Sequence, residues 1–221
     1  MLQAAPLIEV TVAAATHDLV DLATLKSDLG IVDGAQDVRL SRIIAATSLR
    51  VAAYIGRPLI EQTYRETRWL DDADQFLDLQ RMPITDVSSV VEVGVALTSD
   101  LYAWIDGTGL ARIDATGART TWATGKTVVE YVAGWVAPGT TPSGAQIALP
   151  ADLYEAALDA CRGAYLGKDR DPGTSVKSEA VPDVYQVTYD SAGTGTDENL
   201  YGLPFDVARS LDAYRRSSFA Y

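Results

Sequence analysis

The apolar rhythm of this chain changes twice, and that constrains the fold more than any single motif. Over Asp37–Ile55 apolar residues return at Val38, Leu40, Ile43, Ile44, Val51, Tyr54 and Ile55, the 3.6-residue period of a helix with one buried face. From residue 61 to residue 135 the period is two. Thr63, Arg65, Thr67 and Trp69 alternate with Tyr64, Glu66 and Arg68, and residues 87–95, 101–105 and 127–135 are rich in β-branched and aromatic side chains. After Leu149-Pro150 the helical period resumes, with Leu153, Ala156, Ala157, Ala160, Ala164 and Tyr165 on one face. Helices at the two ends must therefore share one core across an intervening β block. The expected class is α+β: a small helical bundle of N- and C-terminal helices with an inserted antiparallel β block. The chain divides accordingly into an N-terminal helical part (1–60), a β-rich block (61–137), a linker, helix and strand returning to the bundle (138–203), and a C-terminal helix and tail (204–221).

Local chemistry sets the boundaries. Thr24 is placed to cap a short helix that ends at Leu29 before Gly30, and Asp33 is a second start signal. Gly56, Arg57 and Pro58 stop the long helix, because glycine accepts the left-handed cap and proline disfavours helix in the residue before it. Turns are expected at Asp71-Asp72-Ala73-Asp74, Arg81-Met82-Pro83, Asp106-Gly107-Thr108-Gly109 and Thr116-Gly117. The run Val184-Tyr185-Gln186-Val187-Thr188-Tyr189 alternates as one more strand, and Leu203-Pro204 opens the last helix through Val207, Leu211 and Tyr214. Trp69, Trp104, Trp122 and Trp135 are expected in the core.

Composition narrows the function. Thirty Asp and Glu against 18 Lys and Arg leave a net charge of −12, which repels phosphate backbones and argues against stand-alone binding of DNA or RNA. The one cysteine, Cys161, permits no internal disulfide and no Cys-rich zinc site, as suits a reducing compartment. Residues 1–10 carry no basic segment before their apolar residues, and no long apolar run follows. The expected product is soluble, with neither secretory signal nor membrane span.

Catalytic patterns are hard to find. His17 is the single histidine, so paired-histidine metal motifs are excluded and a Cys–His dyad would have to join it to Cys161, which reads instead as a small buried hydrophobe. Gly125-Lys126-Thr127 imitates the end of a phosphate-binding loop, yet the first glycine of that motif would fall on Thr120, and a strand-like run follows. Gly107-Thr108-Gly109 reads as a hairpin tip, and the carboxylates of Asp71, Asp72 and Asp74 as a solvated turn, since a calcium loop's spaced ligands and terminal Glu are missing. No cofactor, no metal and no catalytic residue is expected.

The two helical ends carry a resemblance. Leu25-Lys26, Leu29-Gly30-Ile31, Asp37, Leu40, Ile43-Ile44-Ala45-Ala46 and Tyr54-Ile55-Gly56-Arg57-Pro58-Leu59 resemble the opening of tailed-phage head–tail connector (adaptor) proteins. Leu149-Pro150-Ala151-Asp152-Leu153, Ala156-Ala157, Ala164-Tyr165, Arg170-Asp171-Pro172, Val176-Lys177-Ser178-Glu179, Val187-Thr188-Tyr189 and the Leu203-Pro204 helix are similar to that family's later block. Pro182-Asp183 stands where such proteins often have Gly-Asp, and the β block is longer than in the compact members.

The resemblance implies a non-enzymatic virion subunit, made in the host cytoplasm, that forms a ring beneath the portal, commonly of twelve copies. It would face stopper or tail components on its other side while double-stranded DNA passes without specific binding. Cyclic assembly needs two unlike sticky faces per subunit, and the small-residue row Ala157, Ala160 and Ala164 is the candidate subunit interface. Arg215, Arg216, Phe219 and Tyr221 belong to types enriched at interface hot spots and are the candidate portal-binding element. The same tail could equally be a frayed, solvated terminus whose arginines complement the helix dipole. Two other functions fit the same residues: another head- or tail-completion protein, or a small-ligand-binding or enzymatic domain.

Overall fold

The computed structural model describes residues 5–71, 74–105, 109–167, 178–181, 185–188 and 201–215. Two compact units emerge. One takes residues 5–16 and 59–149 and is built on strands; the other takes residues 17–58 and the described residues between 150 and 215 and is built on helices. The expected α+β class is what the chain adopts.

In the β unit, the strands in chain order are β1 (Leu7–Val12), β2 (Gln62–Leu70), β3 (Phe76–Asp78), β4 (Ile84–Glu92), β5 (Val95–Leu97), β6 (Tyr102–Ile105), β7 (Gly109–Ile113), β8 (Arg119–Thr120) and β9 (Gly125–Ala133). A five-stranded sheet runs β1-β2-β9-β4-β5, and a four-stranded one runs β3-β7-β6 with β8 beside β7, all antiparallel. The centre of the larger sheet is β9, whose inward residues Val129, Tyr131 and Ala133 alternate with outward Val128, Glu130 and Val132, so the period-two pattern translates directly into a buried face. Leu77 and Leu110 from the smaller sheet join Tyr64, Val90, Val129, Tyr131 and the loop residue Trp122 in one core cluster. Arg112 Nε donates to Glu92 at 3.0 Å, tying the smaller sheet to the larger.

Two glycines of this unit have no substitute. A Cβ on Gly134, where φ is +121°, would lie 2.6 Å from the backbone nitrogen of Glu61, and one on Gly109 would lie 2.3 Å from the carbonyl of Leu77. The first is the close approach that lets the Gly134 N–H donate to Pro83 at 2.8 Å, and the Met82–Pro83 peptide beside it is cis.

The polar centre of the β unit is a buried carboxylate. Glu66 is 1% exposed, and it accepts from Tyr131 O–H at 2.7 Å, Gln80 N–H at 2.9 Å and Arg68 Nε at 2.8 Å. Three donors, one of them a guanidinium, make the buried charge tolerable. Burial first, and then the Glu66 charge, push the Tyr131 hydroxyl well above the usual tyrosine range.

Tryptophan positions divide. Trp122 and Trp135 are core residues at 0% and 6% exposure, whereas Trp69 and Trp104 are each 42% exposed. Expecting all four inside is corrected by phase: Trp69 alternates with Tyr64 and Leu70 on β2, so it points away from the face they bury.

The helical unit contains α1 (Leu22–Asp28), α2 (Asp37–Ile55), α3 (Ala151–Gly167) and α4 (Phe205–Leu211), with the two-stranded hairpin β10 (Ser178–Val181) and β11 (Tyr185–Thr188). Its N- and C-terminal helices pack on one another, α2 against α3 and α3 against α4, as a shared core requires. Asp21, not Thr24, caps α1: its carboxylate accepts the Thr24 N–H at 2.8 Å, so Thr24 is already inside the first turn. Gly56 closes α2 in the left-handed conformation at φ +85°.

Candidate functional site

Of the helical faces, α3 is the one made for close approach. Leu153, Ala156, Ala157, Ala160 and Cys161 are buried there, and on α2 Leu40, Ile43, Ile44, Thr47, Ser48, Val51, Tyr54 and Ile55 are buried. Ala157 and Ala160, at 0% and 4% exposure, therefore lie in the chain's own bundle; Ala164 is half-buried. From Gly163 toward the end of α3 the row of small residues comes to the surface as Gly163, Ala164 and Gly167, leaving a groove of about 690 Å³ against α2. Arg39, Arg42 and Arg50 line its α2 side, with Ile43, Ala46 and Thr47 between them.

The Arg39 end of the groove is packed against α3. The Arg39 guanidinium sits 4.9 Å from the centre of the Tyr165 ring, and Tyr165 O–H donates to Gln36 at 2.9 Å. Lys26 pairs with Asp37 at 2.6 Å, which neutralises the acid nearest the start of α2. Arg42 and Arg50 are exposed, and neither has an ion-pair partner among the described residues. A sequence signal for this site existed: residues 38–60 hold four arginines and no acid in a chain of net charge −12, a contrast that apolar periodicity does not register.

A second cluster forms where the tail begins. Tyr54 O–H donates to Asp212 at 2.6 Å, and the Arg215 guanidinium lies 4.8 Å over the Tyr54 ring and 3.6 Å from Asp212. Burial, reinforced by the Asp212 carboxylate, raises the Tyr54 hydroxyl's pKa. Tyr214 O–H donates to Asp152, and burial followed by that carboxylate pushes the hydroxyl up to about 12. Arg215 is thus anchored to its own helical unit, while Arg216, Phe219 and Tyr221 lie outside the described residues.

The catalytic candidates do not converge. Cys161 is 0% exposed, its thiol pushed up to about 11 by burial, whereas His17 is exposed. Gly125 starts strand β9, so no helix N-terminus follows Lys126 to meet a phosphate. Among the described residues, no group of three or more His, Cys, Asp or Glu could hold a metal, and no helix is long and apolar enough to cross a membrane. Asp72 and residues 106–108 lie outside the described set.

The fold defines the class: an α+β chain in which helices from both sides of residues 59–149 share one bundle, and that segment forms a two-sheet β unit together with the N-terminal strand β1. That fold is shared with a chain from the virion of a native gene transfer agent (GTA) particle, with a TM-score of 0.51 at 18% identity over 80% of this chain and 89% of that one. Chains from the neck of an empty GTA particle, computed with C6 symmetry, and of a native one, computed with C12 symmetry, superpose at TM-scores of 0.49 and 0.48, with 20% and 19% identity. These two also cover 80% of this chain, and 89% and 88% of their own. No family model matches the chain, and no curated protein matches it in sequence.

Proposed function

We propose that this chain is a structural subunit of a phage-like virion neck: a head–tail connector that forms a ring, of twelve copies on the family likeness, beneath the portal at the capsid vertex. It joins the portal to stopper or tail-completion proteins and has no enzymatic role. The observation that carries this reading is the fold shared across four fifths of the chain with the GTA virion protein. Charge supports it. At −12 per copy a ring repels the phosphates of DNA in its channel, so double-stranded DNA passes without specific binding.

Two surfaces are assigned to assembly. The C-terminal tail, Arg215, Arg216, Phe219 and Tyr221, binds the portal, with Arg215 fixed on Tyr54 as its root. Of the small-residue row of α3, Ala157 and Ala160 are used inside the chain's own bundle, so the part left for the subunit interface is its surfacing end at Ala164. The test is co-sedimentation with portal rings. The full chain is expected to pellet with them, and a variant lacking residues 216–221 is expected to stay in the supernatant while melting within a few degrees of wild type. Undiminished pelleting of the truncated chain refutes the tail assignment, and failure of the full chain to join portal rings refutes the connector reading.

A further inference from the structure

The arginine groove is where an acidic chain is locally positive, and shape as well as charge says what fits it. A Cβ built on Gly167 meets nothing within 4 Å, and one on Gly163 meets only Pro204 Cγ at 3.9 Å, so the α3 wall of the groove borders open space. From Arg39 to Arg50 the α2 wall runs about 16 Å at 1.5 Å per residue. The occupant must be slim, helical in length scale and negative.

Such an element lies on α3 itself. Asp152, Glu155 and Asp159 are exposed and spaced by three and four residues, which aligns them in one row about 10 Å long on the helix surface. Asp159 accepts from Arg162, which also binds Asp28, so the row and its flank present four carboxylates against one guanidinium. Glu155 has no ion-pair partner among the described residues. At 100° per residue the row stands roughly 70° around α3 from Gly163 and Gly167, so one copy cannot fold its own row into its own groove. It can, however, offer the row to one neighbour while receiving another's row.

We infer that the α2–α3 groove, through Arg39, Arg42 and Arg50, receives the Asp152–Glu155–Asp159 row of a second copy of this chain. The inference rests on the proposed self-assembly and names its contact: a heterologous one, in which groove and row are different patches, as a ring requires. A second copy is favoured over nucleic acid because the arginines stand within a surface of net charge −12, which opposes a polyanion as a whole while leaving a short acidic row on a like chain free to pair locally.

The experiment is sedimentation velocity with native mass spectrometry on the full chain, comparing wild type, Arg42→Glu/Arg50→Glu and Glu155→Arg. All three positions are exposed, and circular dichroism melting verifies that the variants fold; Arg42→Gln/Arg50→Gln is the milder substitute if the double reversal does not. Each variant alone is expected to weaken self-association about tenfold or more. An equimolar mixture of the two is expected to recover pairing, since the unaltered arginine groove of Glu155→Arg then meets the unaltered acidic row of the other variant. Raising salt to about 0.5 M should weaken wild-type association. Oligomers that stop at two copies but respond to the reversals in this way support the groove and overturn the ring. Association equal in wild type and variants overturns the groove and leaves the ring reading standing. A wild-type chain that stays monomeric at every concentration overturns the inference, as does a groove variant that associates normally but loses retention of duplex DNA.

Discussion

Replacing Tyr131 with Phe probes the buried carboxylate on which the β unit is organised. The hydroxyl is the shortest of the neutral donors to Glu66, at 2.7 Å, and it also accepts the Arg81 N–H at 3.2 Å. A hydrogen bond to a charged, buried acceptor is worth about 1.5–3 kcal/mol. Gln80 N–H and Arg68 still serve Glu66 in the variant, so the loss should fall in the lower part of that range, about 2 kcal/mol at pH 8. The four tryptophans at 69, 104, 122 and 135 all belong to the β unit, so intrinsic fluorescence during urea unfolding reads this unit selectively. A pH series adds an independent check. Burial and the Glu66 charge raise the folded pKa of Tyr131, while in the unfolded chain it returns to about 10. The stabilisation is therefore complete below pH 10 and is lost as pH rises toward the folded value, at up to about 1.4 kcal/mol per pH unit. The difference between wild type and Tyr131→Phe should shrink from about 2 kcal/mol at pH 8 to about 0.6 kcal/mol at pH 11. A difference below about 0.5 kcal/mol at pH 8, or one constant up to pH 11, refutes this account of the core.

Two further outcomes follow from the same structure. Cys161, buried with its thiol pushed up to about 11, should resist a disulfide reagent at pH 8 until urea unfolds the helical unit; rapid labelling of native protein contradicts the packing of α3 on α2. Gly134→Ala should lower β-unit stability by about 2 kcal/mol or more, because the new methyl meets the Glu61 and Ile60 backbone at 2.6–2.7 Å with φ at +121°, and an unmoved fluorescence midpoint would show that the two segments do not touch there.

What the amino-acid text reveals depends on whether burial is local to the element. Helix α2 was readable from end to end because eight of its residues enter a core and Gly56 and Pro58 end it chemically. Strand β1 had no such mark. Leu7, Val10 and Val12 are 52%, 50% and 61% exposed, and the strand exists because it pairs along β2, a decision made by a partner more than fifty residues away. Asp21 took the cap expected of Thr24 because the two compete within one turn, and only the backbone reveals which carboxylate or hydroxyl faces the free N–H. The arginine groove is hidden for a different reason: most of its residues lie on a helix whose apolar periodicity records what is buried and is silent about the charge on the rest of the surface.

That silence matters for how an acidic subunit meets its own kind. A net charge of −12, were it spread evenly, would set every face of one copy against every face of the next. Here it is not spread evenly: the acid-free stretch 38–60 concentrates positive charge on α2, and Asp152, Glu155 and Asp159 align negative charge on α3. Net repulsion acts over the distance between subunit centres, far beyond the roughly 8 Å Debye length at physiological salt, and is largely screened. Contacts between a groove and a row act within a few ångströms and are screened much less. One charge distribution can thus keep phosphates at a distance and still admit a specific carboxylate row, provided that positive charge stays confined to a surface a neighbouring copy covers. On the proposed reading that condition is what the placement of Arg42 and Arg50 beside Gly163 and Gly167 supplies, since the glycines admit the neighbour's helix close enough for its carboxylates to reach the arginines before solvent does.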